Sequence, residues 1–161
     1  MRTNGMTWYM VVMSLLVALL LKSLPLPQTF QSFWPDWVLL ILIYWNLNVP
    51  ASVGLGIAWM AGLLVDASQF ALLGEHALQY VLVMLLVGYF RNRMSHFSWI
   101  QQAILLFFML LVSVIIEAII ATVLGRHLLF VALLPVPVIG ALIWPVFQYF
   151  MCRLLQPRQV I

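Results

Sequence analysis

Gly54, Ala58, Gly62 and Asp66 stand four residues apart, so three small side chains and then a carboxylate follow one row of an otherwise apolar segment, Gly54 to Gly74. Four residues overshoot a helical turn by about 40°. The row therefore winds slowly and suits a close crossing against another helix, the packing that small-xxx-small rows give in lipid. Asp66 precedes the polar turn Ala67-Ser68-Gln69 and then Gly74, so it is expected at a helix boundary, where it is either solvated or available to a partner. Glu117 is the second carboxylate of interest, flanked by Ile115, Ile116, Ala118 and Ile119. At 1.5 Å per residue it lies roughly 10 Å inside the end of its apolar run. A carboxylate there needs a proton, a counter-charge or a polar cavity. Glu117 is expected to face the first or third helix, with Lys22, Arg126 or a partner chain as its counter-group; the alternative is a protonated acid with no role.

Other chemistries find little support. His76, His96 and His127 have no paired ligand spacing, and Cys152 is the single cysteine, so neither a metal site nor an internal disulfide is expected. No G-x-S-x-G, Walker A or Rossmann glycine pattern occurs, so no cofactor and no catalytic residue are expected. An acid pair inside the membrane could serve an aspartyl protease, but neither acid stands in such a context. The tryptophans at 8, 34, 37, 45, 59, 99 and 144 fall mostly near apparent helix ends, the pattern of an interfacial anchoring belt. Trp59, in mid-helix, marks either a partner surface or a lipid-facing position.

The elements that carry these residues are transmembrane. Of 161 residues, 66% are hydrophobic and 7% charged, and the mean hydropathy is +1.13. Soluble domains are about 45–50% apolar and about 25% charged. Seven basic residues against four acidic ones are too sparse for a nucleic-acid face and read as topology signals. Arg2 before the apolar run Trp8 to Leu21 suggests a signal peptide, but the run is long and lacks an A-x-A site, so it is read as the first membrane helix.

The pattern predicts an all-α, six-transmembrane-helix bundle in one domain, residues 1–161, with helices at about 8–24, 34–47, 51–66, 76–90, 99–124 and 128–151. The first is stopped by Pro25 and Pro27, and its Lys22 is expected to snorkel to the interface, an internal ion pair being the alternative. The second opens at Trp34-Pro35-Asp36 with proline in its first turn. It is short for a span, hence shielded by neighbours or extended by its aromatic ends. Asn46, Asn48 and Pro50 turn the chain so that helices two and three form an antiparallel hairpin. Arg91-Asn92-Arg93 closes the fourth helix and Gly125 the fifth, while Pro135, Pro137 and Trp144-Pro145 bend the sixth. Arg2, Arg91, Arg93, Arg153 and Arg158 then share one side against Lys22 and Arg126, which places both termini in the cytoplasm.

The ordered pieces Trp34-Pro35-Asp36-Trp37 with the apolar run to Trp45, then Pro50, Gly62-xxx-Asp66, Leu73-Gly74, Gln101-Gln102 and Leu142-Ile143-Trp144-Pro145, resemble the MreD family of rod shape-determining proteins of Gram-negative bacteria. The resemblance covers essentially the whole chain. One departure is the turn Asn48-Val49-Pro50-Ala51-Ser52, which tends to be basic in gammaproteobacterial relatives. The resemblance implies a non-catalytic inner-membrane scaffold of the cell-elongation complex. Such a scaffold would bind MreC directly and, through the complex, the MreB filament, RodA and its partner transpeptidase, coupling filaments to peptidoglycan synthesis among membrane lipids. It also implies a fold similar to the substrate-binding components of energy-coupling-factor transporters, and hence a rival reading as a small-molecule or lipid-binding transporter subunit. Gly54, Ala58, Gly62, Asp66, Gly74, Glu117, Trp59, Trp144 and Pro145 are the candidate partner-binding or structural positions, the small-residue row being equally usable for internal packing.

Overall fold

Helix α1 (Gly5–Lys22) lies against α2 (Trp37–Asn48), and α3 (Leu55–Ser68) makes its most extensive contact with α4 (Glu75–Met94). Helix α5 (Trp99–Val123) bridges α4 and α6 (Pro135–Leu155), while α2 also packs on α4 and α3 touches α1. These are the helices of a computed structural model that describes residues 5–24, 27, 33–49, 53–69, 72–94, 97–126 and 133–155. The expectations placed on Arg2, Pro25, Pro50, Ala51, Ser52, His96, His127, Arg158 and the stretch 128–132 lie outside the described residues.

Several boundaries differ from expectation for identifiable reasons. Pro35 does not open α2; Asp36 is its N-cap, with Oδ1 accepting the Leu39 N–H at 3.1 Å, so the helix starts at Trp37. Helix α3 starts at Leu55 rather than residue 51 and runs on to Ser68, and α4 continues to Met94, which places Arg91 and Arg93 in its last turn. In that position their charge complements the negative helix end. Pro135 and Pro137 fall in the first turn of α6, where a missing N–H has no helical partner to lose, and only Pro145 lies inside that helix. Helices α2 and α3 make no extensive contact among the described residues; α2 packs mainly on α1 and α4, and its Tyr44 ring also meets Phe147 of α6 edge-on.

Helix α5 ends as glycine chemistry dictates. Gly125 has φ +70°, its N–H donates to the Thr122 carbonyl at 3.0 Å, and the Arg126 N–H donates to that of Ala121 at 2.8 Å, closing a Schellman motif.

Apolar side chains lie on both the inside and the outside of the bundle. Every residue of α2 from Val38 to Asn46 is buried, which explains a segment that is hydrophobic all round. Large apolar side chains also project outward from the other helices, among them Leu20, Met60, Ile104, Ile119, Leu142 and Val146. Residues 100–123 and 135–153 are long and apolar enough to cross a membrane, and only 28% of each of those windows is buried.

The tightest contact is at Gly62. A Cβ there would lie 2.3 Å from Ala77 Cα and 2.5 Å from Ala77 N, so the backbones of α3 and α4 meet with no side chain between them. Gly56, one turn and a half earlier, faces open space. Gly62→Ala should lower stability by about 1–3 kcal/mol through overpacking, whereas Gly56→Ala should raise it by about 0.5–1 kcal/mol. Thermal unfolding of the two variants in the same detergent, compared with the parent chain, reads both signs.

Candidate functional site

All four acids of the chain, Asp36, Asp66, Glu75 and Glu117, gather at one end of the bundle, where α1, α3 and α5 finish and α2 and α4 begin. The exposed or half-exposed bases Arg91, Arg93 and Arg153 lie at the other end.

Lys22, at the last residue of α1, does not snorkel outward. Its Nζ lies 2.5 Å from Asp36 Oδ2 and donates to the Tyr80 hydroxyl at 2.8 Å, and that hydroxyl reaches both Asp36 oxygens at 2.9 and 2.8 Å. One carboxylate thus caps α2 while it binds a cation from α1 and a phenol from α4. Trp34, just before α2, donates its Nε1 to the Leu21 carbonyl, and further along the same helix pair Trp45 Nε1 donates to Ser14 Oγ at 2.8 Å.

Asp66 is fully buried rather than solvated at a helix boundary. Its Oδ2 accepts the Gly74 N–H at 2.8 Å, and its Oδ1 accepts the His76 N–H at 2.9 Å and meets His76 Nδ1 at 2.8 Å. These backbone donors are among the orphan N–H groups at the start of α4, so the acid ending one helix caps the next. Gly74, at φ +105°, supplies the left-handed residue that turns the chain back towards Asp66.

Arg126 pairs with Glu75 at 2.6 Å, not with Glu117. Both cations expected to serve Glu117 are therefore paired elsewhere. Glu117 is half-buried and continues the inward row of Met109, Ser113 and Ala121, opposite the exposed Ile115 and Ile119. It lies in the electrostatic field of Lys22, Asp36, Glu75 and Arg126. One turn away, Ser113 Oγ accepts from Gln79 Nε2 at 2.6 Å, joining α4 to α5.

The remaining expected positions scatter. Gly54 is the N-cap of α3 and faces open space, Ala58 is fully buried, and Gly62 is taken up by α4, so the small-residue row divides between an open end and an internal contact. Trp59 points outward at 42% exposure. Trp144 is fully buried next to Phe147 and Trp45 is likewise buried, so both indoles pack inside the bundle rather than facing outward as anchors. Pro145 follows Trp144 inside α6. Sequence reasoning missed Glu75, Gln79, Tyr80 and Ser113. A signal was present: Glu75, His76, Gln79 and Tyr80 form two adjacent i, i+4 pairs in a mostly apolar helix.

A family model described as rod shape-determining protein MreD matches residues 1–158. The chain belongs to the MreD family. It is also similar to the rod shape-determining protein MreD of Haemophilus influenzae, with 28% identity over 110 residues, 68% of either chain. No solved structure matches, so the expected kinship with energy-coupling-factor components has no support from a solved fold. The family's role is rod shape determination, and the bundle's two long apolar helices are consistent with a membrane protein. Among the described residues, no group of three His, Cys, Asp or Glu side chains is placed to hold a metal ion. The geometry is one of fastening: it ties α1, α2, α3, α4 and α5 together at one end.

Breaking one partner of a buried ion pair typically costs about 3–5 kcal/mol because it leaves the other charge uncompensated. Lys22→Met should approach that loss, and the double variant Lys22→Met with Asp36→Asn should recover part of it, since asparagine keeps the cap without the charge. Detergent-stability curves for the parent, the single variants and the double variant give the coupling directly.

Proposed function

We propose that this chain is a six-span inner-membrane scaffold of the cell-elongation complex that holds MreC and so couples MreB filaments to peptidoglycan synthesis, without catalysing a reaction itself. The single observation that carries the reading is the membership of the chain in the rod shape-determining family over residues 1–158. The structure supports it in two ways. Its polar side chains fasten helices to one another, and its outer surface is apolar around the bundle, leaving little material outside lipid to act alone. The charge distribution supports an orientation: half-buried Arg91 and exposed Arg93 and Arg153 face the cytoplasm together with both termini, and the acid-rich end faces outward.

The native Cys152 gives a direct test, being exposed beside Arg153 and the only cysteine in the chain. A membrane-impermeant maleimide should leave it unmodified in intact spheroplasts and modify it in inside-out vesicles. In a Cys152→Ala background, Leu72→Cys should show the reverse. Labelling of both positions from one side would end the six-span reading. Retention of co-expressed MreC by the tagged chain in mild detergent tests the partner, and its absence from the eluate would overturn the scaffold role.

A further inference from the structure

We infer that Glu117 is the contact point for a basic side chain, Lys or Arg, which the extracytoplasmic juxtamembrane segment of the partner inserts into the acid-rich end of the bundle. This inference rests on the scaffold reading above and names where and by what chemistry the partner is held.

A charge inventory carries the argument. Of the four acids, Asp36 is paired with Lys22, Glu75 with Arg126, and Asp66 with the His76 ring and two backbone N–H groups. Glu117 is the fourth and has no ion pair or hydrogen bond among the described residues. Among the described residues, no other Lys or Arg is placed to serve it. Arg91, Arg93 and Arg153 lie at the opposite end. A carboxylate in a largely apolar setting is costly without a counter-charge.

A second, independent group points to the same ligand. Gln79 is 3% exposed, and its amide nitrogen is spent on the Ser113 hydroxyl and carbonyl. That leaves Gln79 Oε1 as a buried acceptor with no hydrogen-bond partner among the described residues, at the α4–α5 junction one turn from Glu117. A carboxylate and an amide oxygen at one junction together call for a donor-rich cation, which an ammonium or guanidinium supplies. Glu117 is half-buried on the inward face of α5, while the lipid-facing side carries Ile115 and Ile119. The cation therefore enters from the outer end of the bundle rather than across the lipid-facing surface.

The test compares co-purification of MreC with the full-length parent chain, Glu117→Gln and Glu117→Asp, each checked for monodispersity. Losing one partner of a desolvated charge pair should reduce recovered MreC by at least about tenfold for Glu117→Gln, while Glu117→Asp retains most of it. Equal recovery by Glu117→Gln overturns this inference and leaves the scaffold reading standing; failure of the parent chain to retain MreC overturns the scaffold reading itself. A measurement that does not depend on how the Glu117 variants fold replaces, one at a time, each Lys and Arg of the outer juxtamembrane segment of MreC by Gln and tests it against the parent chain. One position should reproduce the loss seen with Glu117→Gln, and no effect at any position overturns the inference.

Discussion

The backbone contact between Gly62 and Ala77 sets the geometry on which the polar end of the bundle depends. Because no side chain separates α3 from α4 there, Asp66, one turn further on, reaches over the start of α4. Its carboxylate takes the Gly74 and His76 N–H groups, and the negative charge sits at the positive end of the helix it caps. Gly74 completes the arrangement by adopting a left-handed conformation that side chains rarely tolerate. A small residue, an acid and a turn glycine, spaced over thirteen positions, thus form one device.

Helix α4 spreads that device across the bundle. Glu75 binds Arg126 beyond the end of α5, His76 meets Asp66 of α3, Gln79 reaches Ser113 of α5, and Tyr80 joins the Lys22–Asp36 pair. In lipid the hydrophobic effect does not drive helices together, so association rests on close packing and polar contacts. One helix carries both: an alanine backbone pressed against Gly62 and four polar side chains directed to its neighbours. Helix α6 depends on packing instead, with Gly140 set close against the Leu110 side chain, where a Cβ would lie 2.5 Å from Leu110 Cδ1.

What the sequence makes legible follows from how local each signal is. The helices emerge from largely apolar runs, the Gly62 row from its spacing, and the end of α5 from a glycine. The ion pairs are not legible in this way, because Lys22 and Tyr80 are 58 residues apart and only the tertiary fold brings them together. Lys22 near a helix end fits a snorkelling side chain equally well, and nothing local distinguishes the two. Trp45 and Trp144 mislead for a related reason. Tryptophan near a membrane helix end favours the interface, but here one indole reaches Ser14 inside the bundle and the other packs on Phe147. The early start assigned to α2 reflects a competition between two residues for the same end: Pro35 suits a first turn, but Asp36 holds the capping bond.

The placement of polar groups also answers a problem of length. At about 1.5 Å per residue, the twelve residues of α2 and the fourteen of α3 fall well short of the roughly 30 Å hydrocarbon thickness. Short helices inside a bundle end where water does not satisfy the free N–H and C=O groups, so side chains must do so. Asp36 caps the start of α2, and the Asp66 carboxylate caps the start of α4. At the far end of α2, Asn48 Nδ2 donates to the Tyr44 carbonyl and the buried Asn46 Nδ2 donates to that of Val53. Asp36 and Asp66 are thus tied to helix termini. Glu117, in the interior of the longest helix, terminates nothing, which separates its role from that of the capping acids.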